Sequence, residues 1–290
     1  DWNENMSWMI YTLFYGVVKG GREIVKKKAL EKSTVFEVLF FYTLFGFIFL
    51  LPTLPFVLGM TPLQYLLTAV KAFVIFIAWI CGFKAIEKIP VSVFGILDLS
   101  RVIFATLLGV IVLHETLKGT QIAGLVVVAG GLLLLKFGTK KQPEETSALY
   151  VFMALFSCLL NAVSGLMDKI LTNMDLPIYM TPSQLQFWYM FFLTCFYAAY
   201  FLLSRTKADV KGAVKNYWIW ILSILFILAD RALFIANQDP DSKVTVMTLI
   251  KQSGCIVTIL GGRLVFKEKN IVHKLICAAV IVAGIVIGVL

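Results

Sequence analysis

The chain is divided into apolar runs about twenty residues long that few charged side chains interrupt. A helix needs roughly 20 apolar residues to cross the hydrocarbon core of a bilayer. Read at that length, the sequence contains candidate crossings at residues 6–27, 34–58, 62–84, 90–113, 119–137, 148–171, 182–204, 215–237, 243–266 and 271–290. The sequence therefore predicts an all-α integral membrane protein with ten transmembrane helices.

The composition agrees with this class. The chain is 60% hydrophobic and 15% charged, whereas soluble domains are about 45–50% apolar and about 25% charged. The net charge of +9 does not indicate nucleic-acid binding, because no basic stripe interleaved with aromatics is present. The lysines cluster at the ends of apolar runs, where they face lipid head groups. The expected partners are the lipid bilayer and a small-molecule substrate, and a monomer is expected, although the sequence does not determine the oligomeric state.

The two halves of the chain resemble each other. The polar stretch 138–147 separates residues 1–137 from residues 148–290, and each half holds five predicted crossings. A shift of 153 residues aligns Val91 with Val244, Gly109 with Gly262, Glu115 with Glu268 and Gly131 with Gly284. An odd number of crossings per half gives the halves opposite orientations. The sequence therefore predicts two inverted five-helix repeats, an architecture of secondary transporters.

Basic residues are unevenly distributed between the connections. Those after the odd-numbered crossings include Lys26, Lys27, Lys28, Lys32, Lys140, Lys141, Arg205, Lys207, Lys211, Lys215, Lys267 and Lys269, and those after the even-numbered crossings hold Lys118 and Lys243. Because basic loops stay in the cytoplasm, both termini are expected outside. We expect a multi-pass protein of the cytoplasmic (inner) membrane.

The stretch AIEKIPVSVFGILDLSRVIFATLLGVIVLHETLKGTQIAGLVVVAGGLLLL, residues 85–135, resembles a known family. Its order of short helix, Ile-Pro, long helix, Glu-containing loop and Gly-rich helix is similar to the pattern that closes each half in the drug/metabolite transporter superfamily, in its EamA-type ten-helix branch. Here His114-Glu115 and Lys267-Glu268 stand where that family has Gly-Glu. The resemblance implies a central cavity lined by crossings 1, 3, 4, 6, 8 and 9. It also implies cytoplasmic termini, opposite to the charge distribution.

Several charged side chains lie well inside the predicted crossings. Each costs about 2.5–3.5 kcal/mol at a helix centre, so it needs a partner or a water-filled space. Asp98 and Arg101 are three residues apart and are expected to pair on one helix face. The 153-residue shift aligns Asp98 with Lys251, so these two are expected to face each other across the cavity. Asp230 and Arg231 are adjacent, so one is expected to line the cavity and the other to contact a neighbouring helix.

Other charges differ in their expected surroundings. Lys71 has no acid at helical spacing and needs a partner from elsewhere in the chain or from the substrate. Arg22, Glu23, Asp168 and Lys169 lie near predicted helix ends, where water at the membrane interface is expected to solvate them.

The excess of cations at mid-membrane predicts the substrate class. Lys71, Arg101, Arg231 and Lys251 outnumber Asp98 and Asp230 there, and surplus buried cations attract carboxylate or phosphate groups. The residues expected to bind the substrate are Lys71, Arg101, Arg231, Lys251, Gln252, Asn161, Ser164, Tyr15 and Trp79. Asp98 and Asp230 are expected to pair with the cations or carry a coupled proton. We expect a secondary active transporter that moves a small organic anion or zwitterion, such as an amino-acid-like metabolite, by alternating access.

Two alternatives stay open from the sequence. An exporter of cationic drugs or metabolites would use Asp98 and Asp230 as ligands, and a non-transporting scaffold or lipid-handling subunit would use the charges as structural ties. Enzyme chemistry, cofactors and metals are not expected. The only histidines are His114 and His273, and no P-loop or Gly-x-Gly-x-x-Gly motif is present.

Overall fold

The computed structural model describes residues 7–113, 119–137, 147–204, 209–239, 247, 250, 251 and 253–289. The regular elements of this part of the chain are helices. They are α1 (Ser7–Leu30), α2 (Val35–Leu50), α3 (Pro62–Lys88), α4 (Val91–Asp98), α5 (Arg101–Leu113), α6 (Gly119–Phe137), α7 (Ala148–Leu171), α8 (Pro182–Ser204), α9 (Val210–Lys215), α10 (Tyr217–Gln238), α11 (Ser253–Phe266) and α12 (Ile271–Val289). A short 3₁₀ helix, Leu51–Phe56, continues α2.

Within the described residues, six segments are long and apolar enough to cross a membrane. They are Val35–Phe56, Pro62–Lys88, Val91–Leu108, Ala148–Leu171, Pro182–Leu203 and Tyr217–Gln238. Large apolar side chains such as Leu66 and Phe152 lie on the outer surface, 60% and 65% exposed, which is typical of a surface that contacts lipid. The protein is a multi-pass membrane protein, whereas the ten crossings and the inverted repeat stay predictions.

Helices α3 and α8 begin with the same local signal. Each follows a Thr-Pro-x-Gln sequence, at residues 61–64 and 181–184. The Gln64 backbone N–H donates to the Thr61 hydroxyl, and the Gln64 side-chain oxygen accepts from the Thr61 backbone N–H. Thr181 and Gln184 exchange the same two bonds. These capping boxes satisfy backbone donors that a helix start leaves free, and proline is tolerated at the first helical position.

Helices of the first half pack mainly against helices of the second half. Helix α1 contacts α10 and α11, and α3 contacts α7. Further contacts join α2 with α8, α4 with α11, and α6 with α12. Each half of the chain therefore packs mainly through contacts with the other half.

Close approach of α1 and α11 depends on glycine. A Cβ atom placed on Gly20 would collide with the backbone carbonyl oxygen of Gly254. Small residues four apart, such as Gly16 and Gly20, are a common device for close helix packing in membranes. The contact brings Lys19, next to Gly20, to the junction of α1, α4 and α11.

Candidate functional site

A cavity of about 690 Å³ lies between the helices. Residues from α1, α2, α3, α4, α5, α6, α7, α10 and α12 line it, together with residues just before α11. Its volume is within the range of about 300–1,000 Å³ that is typical of small-molecule sites. Ionisable groups from several helices share its wall, which makes it the candidate functional site.

Most of the side chains predicted for the site line this cavity. They are Tyr15, Lys71, Trp79, Asp98, Arg101, Asn161, Ser164, Asp230 and Lys251. Gln252 lies outside the described residues. Arg231 is not part of the cavity wall and donates from Nη1 to the Ser183 hydroxyl on α8 at 2.6 Å. Adjacent helical residues point about 100° apart, so Asp230 faces the cavity and Arg231 faces a neighbouring helix.

The cavity is also lined by charged side chains that the sequence analysis did not assign to the site. They are Lys19, Arg22, Glu23, Lys26, Asp168 and Lys169. Arg22, Glu23 and Asp168 are buried, so the expectation that interfacial water solvates them is wrong. The neighbouring helices enclose them, since α1 packs against both α10 and α11, and α7 packs against α3.

Asp98 is held by two cations. Arg101 donates from Nη2 to Asp98 Oδ1 at 2.7 Å, which is the predicted contact at i, i+3. Lys19 of α1 donates to the other carboxylate oxygen, Oδ2. Asp98 and Lys251 both line the cavity, as expected from the repeat, but the cations that pair with Asp98 are Lys19 and Arg101. Lys19, Asp98 and Lys251 all border one small space.

The backbone changes its hydrogen bonding at this cluster. The sequence predicts one helix over residues 90–113, but the structure ends α4 at Asp98 and starts α5 at Arg101. The Leu99 and Ser100 N–H groups donate three residues back, to Ile96 and Leu97, at 3.1 and 3.0 Å. In such a 3₁₀ turn, side chains three apart are eclipsed. The turn therefore aligns Asp98 with Arg101.

A second cluster surrounds Lys71. Its ammonium lies 3.1 Å from Asp168 of α7, so the missing partner of Lys71 is an acid from another helix. It also lies 4.3 Å from the ring centroid of Tyr189. The Tyr189 hydroxyl donates to Asp230 at 2.7 Å, and Asp230 pairs with Arg22 at 3.3 Å. Tyr189 thus joins two ion pairs into one network.

Lys251 differs from the other cavity cations. Its contact in the structure is with the ring of Tyr15, at 5.9 Å from the centroid. No carboxylate of the described residues lies within ion-pair distance of it. Lys251 therefore presents a positive charge to the cavity without a protein counter-ion in the described part of the chain.

The charge of the wall is unbalanced. Its described cations are Lys19, Arg22, Lys26, Lys71, Arg101, Lys169 and Lys251, and its described carboxylates are Glu23, Asp98, Asp168 and Asp230. Each of these carboxylates already has a cationic partner within 4 Å. The cavity therefore offers positive charge, and no carboxylate of the described wall is free.

One end of the cavity is closed. Lys26 pairs with Glu23 at 2.6 Å and lies 4.6 Å from the ring centroid of Phe83. Beyond this layer, Ile86 and Ile89 are fully buried. We call this layer, Glu23, Lys26 and Phe83, the closed end.

Glu268 fastens the protein on the same side. Its carboxylate accepts from the Val91 backbone N–H at 2.8 Å and from the Ser92 hydroxyl, at the start of α4. Lys274 donates to it at 3.0 Å. Glu268 thereby joins the loop before α12 to α4. Its predicted equivalent, Glu115, lies outside the described residues.

The opposite end of the cavity reaches the other face of the bundle. Lys169, Asn173, Leu176 and Asn237 line it there, at the ends of α7 and α10. Asn173 and Leu176 belong to the loop between α7 and α8, and Leu176 is exposed. We call this the open end.

Comparison with known families decides the class. Residues 6–137 match the model of the EamA-like transporter family, which confirms the resemblance seen in the sequence. That family is part of the drug/metabolite transporter superfamily, so residues 6–137 are similar to this superfamily. The match indicates a membrane transporter of the drug/metabolite type. No curated protein sequence matches the chain.

A solved crystal structure has the same fold. It shares 12% sequence identity with this chain, with a TM-score of 0.66 over 97% of this chain and 96% of the other. At this identity the similarity shows the fold alone. The architecture described above is therefore one that an experimentally solved protein also adopts.

Proposed function

We propose that this transporter is a secondary carrier that moves a small organic anion or zwitterion by alternating access. The observation that carries the proposal is the cation surplus of a cavity whose carboxylates are already paired. Desolvated cations without counter-ions are unfavourable. An anionic solute would supply the missing charge, with Lys71, Arg101 and Lys251 as its ligands and Asp98 and Asp230 holding the cations in place.

The contacts between helices support an inverted repeat, with residues 1–137 and 148–290 as its two copies and 138–147 as linker. Under the predicted repeat, α1 and α7 are equivalent, and so are α3 and α10. The repeat symmetry therefore relates the contact between α1 and α10 to a contact between α7 and α3, and both contacts are present. The contacts α2–α8, α4–α11 and α6–α12 each join equivalent helices. A pseudo-twofold axis would produce this pairing.

The unequal ends of the cavity support alternating access. The open end reaches one face, while the Glu23–Lys26 pair and the Glu268 contacts block the other. Lys28 and Lys215 lie at the ends of helices, and Lys32 and Lys267 lie in connections, on the face of the closed end. By the positive-inside rule that face is cytoplasmic, so the cavity would open to the outside of the cytoplasmic membrane.

The cationic-substrate alternative is less favourable for this wall. A cationic drug needs a free carboxylate, yet every carboxylate of the described wall has a partner, and the solute would add to an existing positive surplus. A transport competition assay distinguishes an anionic or zwitterionic substrate from a cationic one. An anionic or zwitterionic solute is expected to compete for transport, and competition by cationic solutes alone would overturn the proposed substrate class.

The experiment uses purified protein in two steps. A thermal-stability screen against anionic, zwitterionic and cationic metabolites selects candidates, and proteoliposomes then measure their uptake or exchange. Lys251→Met and Lys71→Met are expected to abolish transport. Lys84→Met is the matched control, because Lys84 lies on α3 beside Phe36 and is not part of the cavity wall. Unchanged transport in both cavity variants, or no solute response at all, would defeat the proposal.

A further inference from the structure

The cavity wall separates into two regions of different net charge. In the first, Lys71 faces Asp168 and Arg22 faces Asp230, so the charges are balanced. In the second, Lys19 and Arg101 both bind Asp98, and Lys251 borders the same small space. Glu23 also borders it, but its charge is balanced by Lys26. We call Lys19, Asp98, Arg101 and Lys251 the cationic cluster. Its formal surplus is two positive charges.

We propose that the cationic cluster binds a substrate group that carries two negative charges, a phosphate monoester or a dicarboxylate. This inference rests on the proposed transport function and narrows its substrate class. A single carboxylate, or the carboxylate of an amino acid, would leave one buried cation without a counter-ion. A dianion neutralises the cluster, and unpaired buried charge is strongly unfavourable.

The hydrogen-bonding state of the cluster supports a ligand with several acceptor oxygens. Both Asp98 oxygens are already used, one by Arg101 and one by Lys19. The Arg101 Nε–H is buried and has no hydrogen-bond partner among the described residues. A guanidinium presents its donors as a fork that matches the oxygens of phosphate or carboxylate. The Nε–H donor of Arg101 and the ammonium of Lys251 therefore both lack a partner among the described residues.

The substrate's remaining part would face the aromatic side of the cavity. Tyr42, Trp79 and Phe226 all line it. Their ring centroids are 5.1–5.2 Å apart, with edge-on or tilted contacts. Such rings bind flat or apolar groups. The inferred substrate is thus a small organic molecule with a doubly negative group at one end.

The test compares ligands that differ in charge but hardly in shape. Methyl phosphate is compared with methyl sulfate, and succinate with its monoamide, in thermal-shift titrations of the purified protein at constant ionic strength and about pH 7.5, where a phosphate monoester is almost entirely dianionic. We expect at least one dianion to bind about tenfold or more tightly than its monoanionic counterpart. Preference for methyl phosphate indicates a phosphate ester, and preference for succinate indicates a dicarboxylate. Equal binding within both pairs, or no binding by any of the four, would overturn the inference.

Variants connect the preference to the cluster. Lys251→Met removes a charge that has no partner in the described chain, so the fold should tolerate it. The loss of one charged hydrogen bond is expected to weaken dianion binding about tenfold to a hundredfold. Lys251→Arg should retain binding, as should the control Lys84→Met. An unchanged affinity in Lys251→Met would contradict the assignment.

Failure of this inference differs from failure of the transport proposal. If proteoliposomes carry a monoanion or zwitterion in a Lys251-dependent manner while no dianion binds, the carrier proposal stands and the dianion inference falls. If a dianion binds at the cluster but no solute crosses the membrane, the carrier proposal falls instead.

Discussion

Tyr189 and Lys71 are in direct contact, with the ammonium 4.3 Å from the ring centroid. Both side chains are almost fully buried, at 0% and 1% exposure. A desolvated cation over an aromatic face gains about 2 kcal/mol or more. The same tyrosine donates its hydroxyl hydrogen to Asp230, so its position fixes the geometry of two ion pairs at once.

Tyr189→Phe should separate these two roles. Phenylalanine keeps the ring beside Lys71 but removes the donor to Asp230, which leaves one buried carboxylate oxygen without that bond. We expect a loss of about 1–3 kcal/mol in the free energy of unfolding and weaker substrate binding. Thermal unfolding and proteoliposome uptake measure the two effects.

Tyr197→Phe is the control for this variant. The Tyr197 hydroxyl is also buried, but it donates to the Phe76 carbonyl at 3.3 Å, away from the cavity wall. It should cost some stability and leave uptake unchanged. Equal effects of both variants on uptake would remove Tyr189 from the site.

The sequence predicts contacts within one helix better than contacts between helices. Asp98 and Arg101 pair as their spacing predicts. Lys19 lies 79 residues from Asp98, and no local pattern indicates which helix would bring it there. The same applies to Lys71 and Asp168, which come from different halves of the chain. Asp98 and Lys251 both line the cavity, as the repeat predicts, but the repeat does not indicate that Lys19 of α1 pairs with Asp98.

Helix boundaries, likewise, can be predicted only where a local sequence signal marks them. The starts of α3 and α8 are readable from Thr-Pro-x-Gln. The turn between α4 and α5 has no such signal, because neither proline nor glycine occurs in residues 96–102. Burial of the glycines on α1 and α11 could be suspected from Gly16 and Gly20, whose spacing is typical of membrane helix contacts.

Two neighbouring glycines of α1 should respond differently to alanine. A Cβ on Gly20 would collide with the Gly254 carbonyl oxygen and come 2.7 Å from the Val257 Cβ, whereas nothing lies within 4 Å of a Cβ on Gly21. Overpacking costs about 1–3 kcal/mol, so Gly20→Ala should lower stability and transport.

Gly21→Ala is the matched control and should be neutral or stabilising by about 0.5–1 kcal/mol, since glycine is unfavourable within a helix. Thermal unfolding of both variants decides the matter. A stable, active Gly20→Ala protein would mean that α1 and α11 do not need their close contact.

Glu268→Gln should weaken the contacts that join the loop before α12 to α4 near the closed end. The substitution removes the charge that pairs with Lys274 and that the start of α4 stabilises. Because Lys274 is buried, its unpaired charge should cost about 3 kcal/mol or more of unfolding free energy. Glu31→Gln, which breaks the more exposed pair with Lys28, should cost about 1 kcal/mol or less. Similar melting temperatures for the two variants would contradict a fastening role for Glu268.

For the Lys71–Asp168 pair, we expect the double substitution to destabilise the protein less than either single substitution. Lys71→Met leaves Asp168 buried and unpaired, and Asp168→Asn does the same to Lys71. Removing one partner of a buried pair costs about 3–5 kcal/mol, because it leaves a buried charge uncompensated, whereas replacing both partners leaves no such charge. The double variant Lys71→Met/Asp168→Asn should therefore melt at a higher temperature than either single variant, yet it should not transport, because the substrate would lose a cationic ligand. Additive destabilisation would show that the pair is not the unit of stability, and a transporting double variant would show that Lys71 serves the fold rather than the substrate.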